Sequence, residues 1–298
     1  MKGGGRLVLG FPEGEMQARA LAEAAGLPYA GVAVHRFPVG ESRVRLPPEL
    51  PDHPVIYRSL DHPDQKLVEL ALTAATARGL GARTLTLVAP YLCYMRQDRA
   101  FVPGEAVSQR VVGALLAEWF DLLVTVDPHL HRVARLTDAV PVKRAVCLSA
   151  AGPMAEFLGQ ALDHPLVLGP DSESRQWVAA VAAPQGLDYA VAAKERLGDR
   201  KVRIVLPDLD LQGRAVVLVD DMVSTGRSLV ALVEALRPLC PASISVLVTH
   251  GLFCEGALDS LAGVGVTGIW SSDSVPHPTN RIRLASLLAA ALQEPDPG

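Results

Sequence analysis

The stretch that decides the fold is LVDDMVSTGRSL, residues 218–229. An apolar run leads into two adjacent carboxylates, Asp220 and Asp221, and then into a small polar Ser-Thr-Gly turn at 224–226. A helical pattern follows the turn at once. A buried strand that leads through a short turn into a helix is the unit from which parallel α/β sheets are built.

The turn at 224–226 is suited to a phosphate group. Its hydroxyls and backbone N–H groups lie at the start of a predicted helix, where anions bind. Carboxylates beside a phosphate are useful when the ligand also carries ribose hydroxyls or a metal ion. We therefore interpret the stretch as a sugar-phosphate loop; the alternative is an acidic loop in which Asp or Ser caps the helix. The sequence contains neither the G-x-x-x-x-G-K-[ST] nor the G-x-G-x-x-G pattern of other phosphate loops.

Short apolar strands alternate with Ala- and Leu-rich helical stretches along the chain. Continuous apolar strands separated by helices predict parallel sheets that are covered on both faces. The predicted strands are Arg6–Gly10, Pro54–Ser59, Thr84–Ala89, Leu122–Val126, Leu166–Gly169, Tyr189–Ala193, Ala215–Val219, Ile244–Thr249 and Gly265–Trp270. The predicted helices are Glu15–Ala25, Asp64–Arg78, Ala106–Trp119, Ala150–Leu158, Glu173–Ala183, Arg227–Arg237, Glu255–Ala262 and Ile282–Leu292.

So many strands are more than one sheet usually holds, and a Gly- and Pro-containing stretch near Ser149 divides the chain roughly in half. We therefore predict an α/β protein of two domains, each with a mainly parallel sheet flanked by helices. The boundaries are residues 1–148 and 149–281, and we expect a C-terminal helix at about 282–298 to pack on the first domain.

Several predicted strands end in charged or polar residues. Any one of them alone is usually a helix cap or a solvated loop residue. In open α/β sheets, however, ligands bind beyond the carboxyl ends of the strands, so we expect these residues to contribute to one site. They are Asp127-Pro128-His129, Asp171, Lys194-Glu195-Arg196, Asp220-Asp221 and His250-Gly251.

Composition excludes several classes of protein. Of the 298 residues, 49% are apolar and 20% are charged, which is typical of a globular chain. The net charge of −4 argues against a broad nucleic-acid surface. No apolar run approaches the roughly 18 residues of a membrane span, and the N-terminus lacks the apolar region of a signal peptide. The four cysteines are scattered, which favours free thiols and a cytoplasmic location.

The motif VDDMVSTG resembles the phosphoribosyl-diphosphate binding motif of the type I phosphoribosyltransferase fold. Other stretches resemble, in order along nearly the whole chain, segments of the ribose-phosphate diphosphokinases. These are the N-terminal loop HRFPVGESRVRL (35–46), the nucleotide loop YLCYMRQDRAF (91–101), the metal segments TVDPHLHR (125–132) and LGPDSESR (168–175), the catalytic Lys-x-Arg loop AAKERLG (192–198), and the C-terminal segments THGLF (249–253) and SSDSVPHPTN (271–280).

This resemblance implies two phosphoribosyltransferase-like domains and a Mg²⁺-dependent reaction of ATP with ribose 5-phosphate, giving 5-phosphoribosyl 1-diphosphate and AMP. It also implies a homo-oligomer, either a dimer or a hexamer. The roles that it implies are catalysis by Lys194 and Arg196; ATP binding by Phe37, Glu41, Arg96, Gln97, Asp98 and Arg99; ribose 5-phosphate binding by Asp220, Asp221, Ser224, Thr225, Gly226, Arg227 and Ser228; and metal binding by His129 and Asp171.

Three departures from the family pattern leave alternatives open. Ser172-Glu173-Ser174 replaces a Gly-rich turn, Arg227-Ser228 replaces a glycine and a threonine, and Val39 stands where Asp or Asn is usual. One alternative is a weakly active or inactive regulatory paralogue of the diphosphokinase. A second alternative is a phosphoribosyltransferase that consumes the product. It is less favoured, because it gives no role to Arg96–Arg99 and Lys194–Arg196.

Overall fold

The computed structural model of the chain describes residues 5–196, 202–254 and 256–293, and for 194–196 and 202–203 it describes the backbone alone. Two compact units divide the chain, Met1–Leu148 with Leu284–Gly298 and Ser149–Arg283. Both units are α/β structures in which helices flank a parallel sheet. Among the described residues, no helix is long and apolar enough to cross a membrane.

The first unit is built on a six-stranded parallel sheet of order β2-β1-β5-β6-β7-β8, with β3 and β4 forming a separate antiparallel hairpin. Its core strands are continuous apolar runs, because both faces of the sheet are covered by helices. The elements are β1 (Arg6–Gly10), α1 (Glu15–Ala25), β2 (Tyr29–Gly31), β3 (Ala33–Arg36), β4 (Ser42–Arg45), β5 (His53–Tyr57), α2 (Pro63–Gly79), β6 (Thr86–Val88), α3 (Ser108–Trp119), β7 (Leu122–Val126), α4 (Leu136–Ala139) and β8 (Arg144–Leu148).

The second unit has a six-stranded parallel sheet of order β10-β9-β13-β14-β15-β16 and a hairpin of β11 and β12. Val216–Val219 of its central strand are fully buried. The elements are α5 (Ala151–Ala161), β9 (Leu166–Gly169), α6 (Arg175–Ala182), β10 (Tyr189–Val191), β11 (Ala193–Arg196), β12 (Val202–Val205), β13 (Ala215–Val223), α7 (Arg227–Leu236), β14 (Ser243–Gly251), α8 (Ala257–Gly263), β15 (Gly268–Ser272) and β16 (Asn280–Ile282).

The chain returns to the first unit as α9 (Ala285–Gln293), which packs against α1. The Arg6 guanidinium donates a hydrogen bond to the Leu292 carbonyl near the end of this helix. The helix begins later than the predicted residue Ile282, because Ile282 belongs to β16 and pairs with Ser272 in the second unit.

The predicted α/β class and the two mainly parallel sheets are confirmed. The carboxyl ends of several predicted strands were wrong, however, including two at the predicted site. β13 continues through Asp220 and Asp221 to Val223, and β14 continues through His250 to Gly251, since the two strands stay in register over this length. The Lys-x-Arg segment is strand β11 of a hairpin rather than a loop that follows a sheet strand.

Candidate active site

Strand β13 carries both carboxylates of the sugar-phosphate loop inside the second sheet. Asp220 is the register partner of Val248 on β14, and the Asp221 N–H donates to the Asp220 carboxylate at 3.0 Å. Successive residues of a strand face opposite sides of the sheet, so the two carboxylates do not compete for one position. Asp221 is only 4% exposed whereas Asp220 is half-buried, so Asp220 offers the more accessible carboxylate.

The turn after β13 presents a helix N-terminus to a ligand. Gly226 has φ 71° and precedes α7, whose Val230 N–H donates to the Gly226 carbonyl at 2.9 Å. Glycine is favoured here, because residues with a side chain rarely adopt this left-handed backbone. Arg227 is already the first helical residue and has no positive φ, so it introduces no such strain. Thr225, Arg227 and Ser228 are exposed.

Open space lies beside this turn. A cavity of about 460 Å³ is lined by residues of α7 and by Gly256 and Ser260 on the α8 side. Thr225 and Arg227 contribute to its wall at one end, and Glu234 contributes two turns further along α7. The exposed side of the turn is therefore not blocked by packing against α8.

The segment after β14 holds the turn in place. The Leu252 and Phe253 N–H groups both donate to the Val223 carbonyl at 3.0 Å. The Cys254 N–H donates to the Ser224 carbonyl at 3.0 Å, and the Cys254 thiol lies 3.1 Å from the Ser224 hydroxyl. The THGLF motif therefore acts in the structure as a backbone support for the sugar-phosphate loop.

Asp171 follows β9, the strand that pairs with β13, so it lies at the same carboxyl edge of the sheet as the two aspartates. Its carboxylate accepts the Glu173 N–H at 3.1 Å, and the Ser174 hydroxyl donates to the Asp171 carbonyl at 2.6 Å. Ser172-Glu173-Ser174 is thus a capping turn that leads into α6. Ser174, one of the residues that replace the Gly-rich turn, is buried and orders the backbone around Asp171.

In the first unit, residues 96–99 divide into two inward and two outward side chains. Gln97 accepts the Ser108 N–H at 3.0 Å and donates to the Ala106 carbonyl at 2.5 Å, so its amide holds the start of α3. The Asp98 side chain is 2% exposed and accepts two hydrogen bonds from Arg132, at 2.7 and 2.9 Å. The neighbouring Arg96 and Arg99 are exposed.

The β3–β4 hairpin displays the other predicted nucleotide residues. The Phe37 N–H donates to the Glu41 carbonyl at 2.8 Å, which closes a tight loop at 37–41. Phe37 and Glu41 are both exposed, and Val39 at the tip of the loop is 80% exposed. The loop therefore presents these side chains outward for contact with a ligand.

His129 follows β7 and is partly buried, with its ring 4.6 Å from that of the exposed His131. The Asp98–Arg132 ion pair joins this segment to the 91–101 stretch. Over residues 5–196, 202–254 and 256–293, no three His, Cys, Asp or Glu side chains are grouped as a metal site.

Lys194 and Arg196 lie on β11, where their backbones pair with Ile204 and Val202 of β12. Their side chains are outside the described part of the structure. β10, after which the hairpin follows, lies beside β9 at the edge of the second sheet. Because β10 runs parallel to β9, the hairpin begins at the carboxyl end of β10, the end of the sheet at which Asp171 also lies.

Sequence reasoning missed Asp64 and Glu69, two residues of α2 that contact the predicted nucleotide segments. Tyr94, in a left-handed conformation with φ 60°, donates its hydroxyl hydrogen bond to Asp64, and this bond together with burial raises the pKa of Tyr94. Glu69 binds Arg36 and Ser42, the two strand residues that flank the 37–41 loop of the β3–β4 hairpin. The local sequence gives little signal for Glu69, because polar and apolar residues are mixed on the buried side of α2.

Comparison with known proteins agrees with this geometry. Residues 8–119 match the N-terminal domain of ribose phosphate pyrophosphokinase, and residues 147–256 match a phosphoribosyl transferase domain. A ribose-phosphate pyrophosphokinase of Methanopyrus kandleri is 36% identical over 96% of this chain and 98% of its own length. That of Thermococcus kodakarensis is 34% identical over 87% of this chain and 91% of its own.

The fold is shared with a solved structure. The phosphoribosylpyrophosphate synthetase from Mycobacterium smegmatis superposes with a TM-score of 0.81 over 97% of this chain and 98% of that chain, at 22% identity. The Methanopyrus kandleri relative matches nearly the whole of this chain and nearly the whole of its own length, so the agreement is of family as well as of fold. The chain belongs to the ribose-phosphate pyrophosphokinase family.

Proposed function

We propose that this protein transfers the diphosphoryl group of ATP to the anomeric hydroxyl of ribose 5-phosphate, releasing AMP. The observation that carries the proposal is the full-length match to relatives named for this activity. The sugar-phosphate loop in the second unit and the nucleotide segments in the first support it, because the reaction needs one site for each substrate.

The reaction is a displacement at phosphorus. The anomeric oxygen of the sugar forms a bond to the β-phosphorus, and the bond between that phosphorus and the oxygen bridging to the α-phosphorus breaks. The electron pair remains on the AMP phosphate, and the hydroxyl proton is released. Catalysis of phosphoryl transfer is chiefly alignment of the substrates and stabilisation of developing negative charge.

The proposed roles follow the chemistry of each group. Asp220 and Asp221 bind the ribose hydroxyls, and Ser224, Thr225, Gly226, Arg227 and Ser228 surround the 5-phosphate at the helix N-terminus. Phe37, Glu41, Arg96 and Arg99 contact ATP, with Gln97 and Asp98 shaping that surface from beneath. Lys194 and Arg196 supply positive charge to the transferred group.

Magnesium fits this arrangement. Mg²⁺ keeps several waters and is usually bound by one or two carboxylates together with substrate phosphates, so a cluster of three protein ligands is not required. Asp171, partly exposed at the carboxyl edge of the second sheet, and His129, partly exposed after β7, would each hold an ion of this kind. A Mg²⁺ ion held by these residues would neutralise charge on the triphosphate.

Two of the three departures from the family pattern do not favour an inactive paralogue. Arg227 takes helical backbone, and Ser172-Glu173-Ser174 forms a regular capping turn, so neither substitution distorts its segment. The chain also retains Lys194, Arg196 and both aspartates of the sugar-phosphate loop. These residues support turnover rather than a purely regulatory role.

A homo-oligomer is part of the proposal. Val68 and Leu72 on α2, and Val111 and Leu115 on α3, leave large apolar side chains exposed on neighbouring helices of the first unit. Exposed apolar side chains on two helices that contact each other support a protein interface, and we assign it to a second copy of the chain. Sedimentation velocity of the wild type and of Val68→Glu with Val111→Glu tests this, with the substituted chain expected to dissociate.

The activity is tested by measuring AMP formation from ATP and Mg²⁺, with and without ribose 5-phosphate. AMP that accumulates only when the sugar phosphate is present supports the proposal. Catalytic amounts of protein that form no AMP under any of these conditions would instead favour the regulatory paralogue.

A further inference from the structure

One buried carboxylate ties the β3–β4 hairpin to α2. The Nε of Arg36 donates to Oε1 of Glu69 at 3.1 Å, and the Ser42 hydroxyl donates to the same oxygen at 2.7 Å. Arg36 is the last residue of β3, Ser42 is the first residue of β4, and the two are register partners. Glu69 therefore binds both ends of the 37–41 loop at once.

The position of this carboxylate is fixed from behind. The second oxygen of Glu69 accepts a hydrogen bond from Arg58, and both side chains are almost completely buried. Arg58 is itself held by Glu13 at 2.8 Å, by the Lys66 carbonyl at 3.2 Å, and by the Phe11 ring, whose centroid lies 3.7 Å from the guanidinium carbon. The hairpin is thus connected to a rigid part of the first unit.

A buried ion pair is not the most stabilising way to pack a helix against a sheet. Apolar side chains of similar volume often stabilise a core as well as a buried ion pair does, or better. The pair Arg58–Glu69 supplies something that apolar packing does not, which is a directional acceptor for both strands of the hairpin. These two hydrogen bonds hold both ends of the 37–41 loop against one buried oxygen.

The same helix also binds the other nucleotide segment. Tyr94, in the 91–101 stretch, donates its hydroxyl hydrogen bond to Asp64 in the first turn of α2. Asp64 and Glu69 lie about one and a half turns apart on this helix. One end of α2 therefore contacts both chain segments that we assign to ATP.

We propose that Glu69 is a positioning residue for ATP, which acts by fixing the 37–41 loop in its binding conformation. This inference rests on the proposed function. A loop that is ordered before the ligand arrives avoids the loss of conformational freedom on binding, so release of the loop weakens ATP binding. Glu69 does not touch the reacting atoms, and the transfer step itself is therefore unaffected once ATP is bound.

Glu69→Gln tests the proposal, because it keeps the size of the side chain and removes its charge. The variant is expected to raise KM for ATP about tenfold, to change kcat by less than about twofold and to leave KM for ribose 5-phosphate unchanged. Titration with a fluorescent ATP analogue gives the same loss of affinity without turnover.

The first unit offers a matched control in Asp121. This buried carboxylate also accepts three donors, from Lys143 at 2.6 Å, the Leu85 N–H at 2.9 Å, and Arg78. It precedes β7, at the amino edge of the sheet, whereas the hairpin follows the carboxyl edge. Asp121→Asn should lower the midpoint of thermal unfolding but leave KM for ATP unchanged.

Ser42→Ala decides the matter if Glu69→Gln does not fold. It removes one of the two bonds from the hairpin and leaves the buried pair Arg58–Glu69 intact, so KM for ATP should rise by about threefold. In the double variant with Glu69→Gln the two effects should be less than additive, because both act through one contact.

Two results would overturn the inference. One is a KM for ATP that is unchanged in both Glu69→Gln and Ser42→Ala; the other is an equal rise in Asp121→Asn, which would show a general effect of instability. The proposed function fails separately, through a wild type that forms no AMP. In that case the fluorescent titration still reports whether Glu69 supports nucleotide binding.

Discussion

Arg227 is the first residue of α7 and follows Gly226, which alone has a left-handed backbone within residues 224–228. We predict that Arg227→Gly binds ribose 5-phosphate equally or more weakly than the wild type. Glycine removes a cation from the phosphate site and lowers the helix propensity by about 1 kcal/mol. Calorimetric titration measures the affinity, and Arg227→Ala separates the loss of charge from the loss of helix propensity.

Tenfold tighter binding by Arg227→Gly would contradict this prediction and would identify the arginine as an obstruction. Asp220→Asn serves as the positive control in the same titrations. Its carboxylate is the more accessible of the pair, so the substitution should weaken binding of the sugar hydroxyls.

The two cations of β11 should act in the transition state. Lys194→Ala and Arg196→Ala are expected to lower kcat by about 10²–10⁴-fold, because each supplies positive charge where negative charge develops. Ribose 5-phosphate affinity, measured by calorimetry, should change little. Near-normal kcat in both variants would show that this hairpin is not the catalytic element.

Val39 should weaken discrimination between nucleotides. It lies at the exposed tip of the 37–41 loop and offers no hydrogen-bonding group to a base edge. A missing polar contact removes roughly 1–3 kcal/mol of discrimination, so we predict that Val39→Asp increases the preference for ATP over GTP. The ratio of kcat/KM values for the two nucleotides measures it. A wild-type preference above about a thousandfold would be inconsistent with this role.

At the scale of elements, the sheet of the first unit depends on a buried carboxylate at its amino edge. Burial alone would raise the pKa of Asp121, but hydrogen bonds from Lys143, the Leu85 N–H and Arg78 outweigh it and hold the pKa below its ordinary value. Between that lowered pKa and the ordinary value of about 4, the unfolded chain binds more protons, so the free energy of unfolding increases with pH.

The stabilisation by Asp121 is therefore complete above pH of about 4 and is lost as the pH falls through the lowered pKa. We predict that Asp121→Asn flattens the pH dependence of the urea midpoint as the pH falls below the ordinary carboxyl pKa of about 4. Asp138→Asn is the control, since Asp138 forms an exposed ion pair with Arg135. An Asp121→Asn variant with the wild-type slope would refute the assignment.

Buried parallel strands were the most predictable elements. β1, β7 and β9 have the predicted bounds, because each is a continuous apolar run between polar residues. The ends of β13 and β14 were not predictable in this way, since charged residues usually mark a strand end. Here Asp220 and His250 stay inside paired strands, as the two strands remain in register past their apolar parts.

The hairpins and two short edge strands were missed for a different reason. β3 and β4 pair only with each other, and SRVR of β4 alternates without a fully buried face. β2 and β16 have three residues each, too few for a periodic pattern. The edge strand β10 lies within the predicted strand Tyr189–Ala193, which is two residues too long. Glu69 was missed as well, because its partners Arg36 and Ser42 are identified by tertiary contacts and not by local sequence.

At the scale of the whole molecule, the two units repeat one topology that is not evident as a sequence repeat. In each, the first sheet strand has a short edge strand on one side, a hairpin follows that edge strand, and four further parallel strands extend the sheet on the other side. The hairpin of the first unit carries residues assigned to ATP, and that of the second carries Lys194 and Arg196. The same structural position thus supports different proposed roles in the two units.

The proposed reaction moves the β- and γ-phosphoryl groups together from ATP to the sugar. Phosphorus NMR of ATP, ribose 5-phosphate and Mg²⁺ incubated with the wild-type protein tests this most directly, because it distinguishes every phosphorylated product. We predict that AMP and a sugar carrying an anomeric diphosphate appear in equal amounts, with loss of both substrates. Formation of ADP with a singly phosphorylated anomeric position, or release of orthophosphate alone, would contradict diphosphoryl transfer.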